Sequence, residues 1–316
     1  MHQNFDVGRT TLVAAMLGLA ALAVHSSLLA EVQKLNAIKA INAAAATAEV
    51  TVTPLRDVFS VLMGSGGNII VFNGKSGKLM IDSGIAVSQP RVEAALARTG
   101  PGKIKYLINT HHHWDHTDGN SWVAKTGATI IAHRNTLKHD SVDVHVDDWD
   151  VTFKALPPDA RPSVLVDREK TLDFDGNKVV IEHFAGGHTD SDLWVWFPRQ
   201  DVIAVGDVFW NGMYPFIDTQ YGGDIDDNIL WVDKVLAKVG PNTIIIPGHG
   251  AVADRAALAE YRSMLVGVRD KVAALKKEGK SVEQIIAARP TAPFDARYGG
   301  AVIAPDTFTR FVYRGL

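Results

Sequence analysis

The chain has 316 residues, 47% of them apolar and 21% charged, enough for a sizeable buried core and far from the composition of disordered proteins. A net charge of −3 with acidic and basic residues interspersed excludes the basic footprint that a nucleic-acid partner requires. The absence of cysteine excludes disulfides, thiolate nucleophiles and Cys-ligated zinc, and leaves twelve histidines as the source of nitrogen ligands.

Arg9 precedes an uncharged Ala- and Leu-rich run over residues 10–24, which has the length of a secretory h-region and is short for a membrane span. Cleavage is expected at Ala21-Leu22-Ala23 or at Ala46-Thr47-Ala48. The competing reading is an amino-terminal helix kept as a membrane anchor or packed on the domain. Residues 1–48 are accordingly assigned to a signal peptide or amino-terminal anchor and linker, and 49–316 to one folded domain. Export predicts a periplasmic or secreted protein with no stable membrane insertion after signal removal.

Short β-type runs over 59–63, 68–72 and 78–82, separated by Gly-rich turns, predict an antiparallel meander. A helix over 91–98, a strand over 104–108 and another over 129–132 then set up a β-α-β rhythm. Residues 134–163 read as an irregular insertion bordering a site. A second strand set follows at 163–166, 178–183, 193–197, 202–205 and 243–246. Between its last two members an amphipathic helix over 225–239 directs Leu230, Val232, Val235 and Leu236 to the core. The last third reads as helical: 255–277, a helix capped by Ser281 and Gln284, and 307–313. Strand-rich halves each followed by helices predict an α/β fold, a four-layer αββα sandwich of two mixed sheets with helices on both outer faces.

The chemistry is concentrated in Thr110-His111-His112-His113-Trp114-Asp115-His116-Thr117-Asp118-Gly119, directly behind the strand 104–108. In extended backbone His111, His113 and Asp115 point to one side, and His116 leaves in another direction. One peptide thus offers two imidazoles to one metal and a carboxylate with an imidazole to a second, about 3.5–4 Å away. A lone His-x-His would read as a solvated loop. Here Gly187-His188, Gly206-Asp207 and Gly248-His249 also follow strands, each beside a glycine that permits close backbone approach.

The order H-x-H-x-D-H, G-H-T-x-x-S, G-D and G-H-G over roughly residues 50–251 resembles the metallo-β-lactamase superfamily. The resemblance implies one metal on His111, His113 and His188, a second on Asp115, His116 and His249, and Asp207 bridging both. It also implies an αββα fold and a hydrolase with a hydroxide nucleophile, Asp115 orienting it or accepting its proton. Imidazole and carboxylate donors suit two zinc ions, and iron or manganese fit them as well.

With Asp207 where some zinc β-lactamases have cysteine, the chain looks more like the glyoxalase II, lactonase and phosphodiesterase branches. His113 stands where the diiron oxygen reductases need a glutamate. The expected substrate is a small ester, thioester, lactone or β-lactam. The alternative of the same fold is a mononuclear iron persulfide dioxygenase using His111, His113 or His188 and a carboxylate.

Other residues carry weaker expectations. His112 should point away from the ligands, His133 could support one, His183 reads as core or surface, and His139 and His145 read as solvated. Thr117, Thr189 and Asp190 are expected to hold the imidazoles in place. Asn211 and Tyr214, in the aromatic loop after Asp207, are expected to contact substrate.

Overall fold

The computed structural model describes residues 37–316 except Asp57 and Ala185; the run at 10–24 and the cleavage point at 21–23 lie outside the described residues. The first sheet has the order β1 (Thr51–Pro54), β2 (Phe59–Met63), β3 (Ile69–Gly74), β4 (Gly77–Ile81), β5 (Ile104–Ile108), β6 (Thr129–His133) and β9 (Val164–Val166). Its pairing is antiparallel from β1 to β4 and parallel from β4 to β9. The second sheet runs β10 (Glu169–Phe174), β11 (Asn177–His183), β12 (Leu193–Phe197), β13 (Val202–Ala204) and β14 (Ile244–Ile246), with only the last pair parallel.

Alternation along the strands builds the layers. Phe59, Val61, Ile70 and Phe72 face inward and meet Val179, Ile181, Val195 and Phe197 of the second sheet. Their neighbours Leu62, Ile69 and Val71 face outward onto Val92, Ala95 and Leu96 of α2 (Gln89–Thr99). Both faces of these strands are buried, which is why they read as continuous apolar runs rather than as alternating ones. On the far side, Trp194, Ile203 and Ile245 pack against α6 (Ile225–Lys238), α7 (Arg255–Lys277) and α10 (Pro305–Arg314). This is the expected αββα sandwich. The Ser281–Gln284 capping box starts α8 (Val282–Ala287) as expected.

Several local expectations are corrected. The strand expected at 163–166 belongs to the first sheet, as β9 beside β6. β1 and β10 were not foreseen; each is an outer strand with few apolar side chains, and only β10 alternates between solvent and the core. Leu230 is 48% exposed, on the solvent side of α6. The stretch expected to be irregular is ordered: α5 (Arg134–Asp140), then a hairpin of β7 (Val144–Val146) and β8 (Val151–Phe153), then a 3-10 turn.

Residues 37–47, placed by sequence with the leader and linker, form a helix, α1, packed on the domain. Ile38 and Ala45 are buried, and the Arg91 guanidinium donates to the Ala45 carbonyl at 2.8 Å. Among the described residues no helix is long and apolar enough to cross a membrane.

Candidate metal centre

Strand ends deliver the polar side chains. His111 and His113 follow β5, His188 follows β11, Asp207 sits on a 3-10 turn after β13, and His249 follows β14. The extended backbone expected through Asp115 stops at His113 (φ −65°, ψ 145°), and α3 (Trp114–Thr117) is a single helical turn. That turn separates the two halves of the motif. His111, His113, His188 and Asp207 place one donor atom each within 4.8 Å of one another, and Asp115, His116 and His249 do the same.

Asp207 lies between the groups. Its Oδ2 is 3.5 Å from His188 Nε2, 3.8 Å from His111 Nε2 and 3.3 Å from His249 Nε2, and its Oδ1 is 3.1 Å from His116 Nε2. Asp115 Oδ2 is 3.3 Å from His249 Nε2. The structure therefore brings together all seven residues that the sequence proposed as ligands.

The opposite edge of four of the five rings is held. His111 Nδ1 meets Thr110 Oγ1, His113 Nε2 meets Asp218 Oδ2 at 3.0 Å, and His116 Nδ1 meets Asp82 Oδ2 at 2.8 Å. His188 Nδ1 donates to the Phe216 carbonyl at 2.7 Å. These contacts fix which nitrogen faces the cluster: Nε2 of His111, His116 and His188, and Nδ1 of His113. His111 Nε2 is buried without a hydrogen-bond partner among the described residues, as expected of a nitrogen awaiting a cation.

Charge follows the same arrangement. Burial works against charge on His249 and His116, yet Asp207 and Asp115 outweigh it, lifting His249 to about 9 and His116 well above the usual imidazole range. Burial pushes His188 down to about 4 and His111 well below its usual value. It also works against the Asp207 anion, but His249, His116 and His111 hold that carboxyl well below the ordinary range. The carboxylates thus favour protons on His249 and His116, and a dication bound there would take the protons' place. Imidazole and carboxylate donors with no thiolate fit zinc, iron or manganese.

Two glycines make room. A Cβ on Gly67 would collide with the His116 ring, and one on Gly248 with Asp207 Oδ1. Glycine is therefore required where the backbone passes the donors.

Asp82, Asn68 and Asp218 are supporting residues that the sequence reading missed. Asp82 sits at φ 59°, just past β4, and accepts from the Thr110 amide and hydroxyl, both at 2.7 Å, as well as from His116. Asn68 ties the His249 loop down by donating to the Pro247 and Gly250 carbonyls, both at 2.9 Å. A signal for Asp82 was available in the sequence: a polar residue at a strand end, two residues before a glycine.

Other expectations fall out unevenly. His112 turns away and binds Ser191 Oγ at 3.0 Å. His133 stacks on His183 at 3.6 Å between ring centroids. His139, expected in solvent, is buried against Asp190 Oδ1 at 2.9 Å, while His145 is exposed. Thr117 bonds the His113 carbonyl, and Thr189 bonds Asp192, whose carboxylate also receives the His188 amide.

Tyr214 is fully buried, with its hydroxyl on the Thr291 carbonyl and Asp295, and does not line the cavity at the donors. Asn211 reaches the Ala251 carbonyl instead. That cavity, about 200 Å³, is bounded by His113, Asp115, Asp207 and His249 on one side and by Trp149, Trp210 and Phe216 on the other.

Comparison with known proteins agrees with this geometry. A metallo-β-lactamase type 2 of Bacillus cereus is 21% identical over 63% of this chain and 72% of its own length. A hydroxyacylglutathione hydrolase of a Polaromonas species is 29% identical over 49% of this chain and 52% of its own. A stereoselective inverting sec-alkylsulfatase from a Pseudomonas species superimposes with a TM-score of 0.66 at 17% identity, covering 84% of this chain and half of that one. The donor motifs from the His-rich turn to Gly248-His249 all fall inside residues 62–249, the stretch matched by the model of the metallo-beta-lactamase superfamily, and that match over more than half of the sequence makes the chain a member of this superfamily.

Proposed function

We propose that the protein is a dinuclear metal-dependent hydrolase of small esters, thioesters, lactones or β-lactams. The observation that carries this reading is the pair of donor groups sharing Asp207. In this reading His111, His113 and His188 would hold one cation and Asp115, His116 and His249 the other, with Asp207 within reach of both donor groups. Two such cations, zinc in the first instance, supply a Lewis acid and bring the pKa of water into the neutral range.

The chain's own residues do the rest. Asp115, whose side chain is 16% exposed and borders the cavity, orients the attacking water and accepts its proton. Thr110, Asp82, Asp218 and the Phe216 carbonyl keep the imidazoles in one orientation, so little reorganisation accompanies turnover.

The test is metal stoichiometry on purified protein combined with an ester, thioester, lactone and β-lactam panel. Two zinc ions per chain with hydrolysis that is lost in Asp207→Ala support the reading. A single iron per chain with persulfide oxygenation would replace it.

We further propose export to the periplasm or medium. Of the two cleavage points in the sequence, the one at residues 21–23 leaves α1 in place, whereas the one at 46–48 removes it. Amino-terminal sequencing of the exported protein decides between them.

A further inference from the structure

Apart from its donors, the cavity is apolar. Ile38 and Ile41 of α1, Trp149 at the tip of the β7–β8 hairpin, and Trp210, Met213 and Phe216 from the loop after Asp207 surround it. Among the described residues no lysine or arginine lines it. The walls are fastened from outside: Trp149 meets Phe216 edge-on at 5.6 Å, and the hairpin is tied by Tyr221 and Gln220, which both donate to the His145 carbonyl.

We infer that the substrate is a neutral ester carrying an apolar acyl group, a medium-length alkyl chain or single ring, that lies between α1 and the Trp149–Phe216 wall. This rests on the hydrolase reading above and narrows it. An anionic substituent would lose its hydration against Trp149, Phe216 and Ile41 and meet no lysine or arginine of the described lining in return. An apolar one gains with every buried methylene. In the reaction water adds its oxygen to the acyl carbon, the acyl carbon–oxygen bond breaks, and the alcohol departs with a proton from water. Ile38 and Ile41 determine specificity without touching the reacting atoms.

The experiment uses the metal-loaded protein and p-nitrophenyl esters from acetate to hexanoate, with the hydrogen adipate ester as the carboxylate-ended match to hexanoate. kcat/KM is expected to rise about threefold per methylene and to fall about tenfold from hexanoate to adipate. Ile41→Lys should narrow the hexanoate-to-adipate ratio about tenfold by placing a cation at the wall. A flat chain-length profile, or preference for the adipate ester, overturns the inference while leaving the hydrolase reading standing.

If no ester is cleaved the ester part of the inference fails while the hydrolase reading stands or falls by the panel above, and the apolar pocket is then judged by binding alone. Titration of 2-butanone and 2-octanone against tryptophan fluorescence should show at least about tenfold tighter binding of the longer ketone. Equal affinities would overturn the inference.

Discussion

His116 donates its Nδ1 proton to Asp82 Oδ2 at 2.8 Å while its Nε2 lies 3.1 Å from Asp207 Oδ1. Asp82 thereby aims an imidazole from behind, and it does so from the left-handed backbone region, where Asn is also tolerated. Asp82→Asn should keep the turn and lose the acceptor charge. Metal affinity, measured by chelator competition, is expected to fall about 10- to 100-fold with the fold unchanged by circular dichroism. Unaltered affinity would show that the contact does not orient His116.

Gly248 lies against the carboxylate that joins the two donor groups. A Cβ there would collide with Asp207 Oδ1 and come within 2.9 Å of the Asp207 amide. Gly248→Ala should displace that carboxylate and reduce kcat about 100-fold, because misplacement on the order of 1 Å carries such a penalty. Activity within a factor of two of the parent would mean the loop has slack that the geometry does not suggest.

Tyr214 follows the bridging aspartate closely in sequence but works in the helical layer. Its ring stacks on Phe308 at 4.7 Å, and its hydroxyl bonds the Thr291 carbonyl and Asp295 at 3.2 and 2.9 Å. Tyr214→Phe should therefore destabilise the fold by about 1 kcal/mol, lowering Tm by about 2 °C, and leave KM untouched. A changed KM with an unchanged Tm would return this residue to the substrate.

Asp140 closes α5 with Oδ2 buried and unpartnered among the described residues, and burial raises its carboxyl to about 8 despite the pull of Arg161. The folded state then binds this proton more tightly than the unfolded one. Its contribution to stability is full below about pH 4 and is lost as pH rises toward 8. Asp140→Asn should flatten that dependence and be the more stable form at pH 9, by on the order of a few kcal/mol. Parallel melting profiles of the two proteins from pH 4 to 9 would contradict it.

The seven donors were legible because each lies at a strand end next to glycine or inside one dense motif, contexts that a single sequence displays. Their supports were harder to see. Asp82 and Asp218 reach His116 and His113 across 34 and 105 residues of chain; a strand end marks Asp82, but nothing local names its partner or marks Asp218. His139 looked solvated because its neighbours are polar, yet Asp190 meets it from another segment. Strands buried on both faces were read well, since their apolar runs are unbroken. β1 and β10 were missed because each is a short edge strand with few apolar residues, Val52 in β1 and Leu172 and Phe174 in β10, set among Thr, Lys, Glu and Asp. α1 was set aside because an Ala-rich stretch behind a leader resembles a linker until its contacts with the domain are seen.

The helix over residues 37–47 forms one flank of the cavity, while the donor imidazoles lie on the loops after β5, β11 and β14 and on the α3 turn. A protease nick within that helix would leave the cation cradle intact and flood one flank with water. If the export and ester proposals hold, two differently trimmed forms of one gene product would share their reaction chemistry but not their preferred molecules.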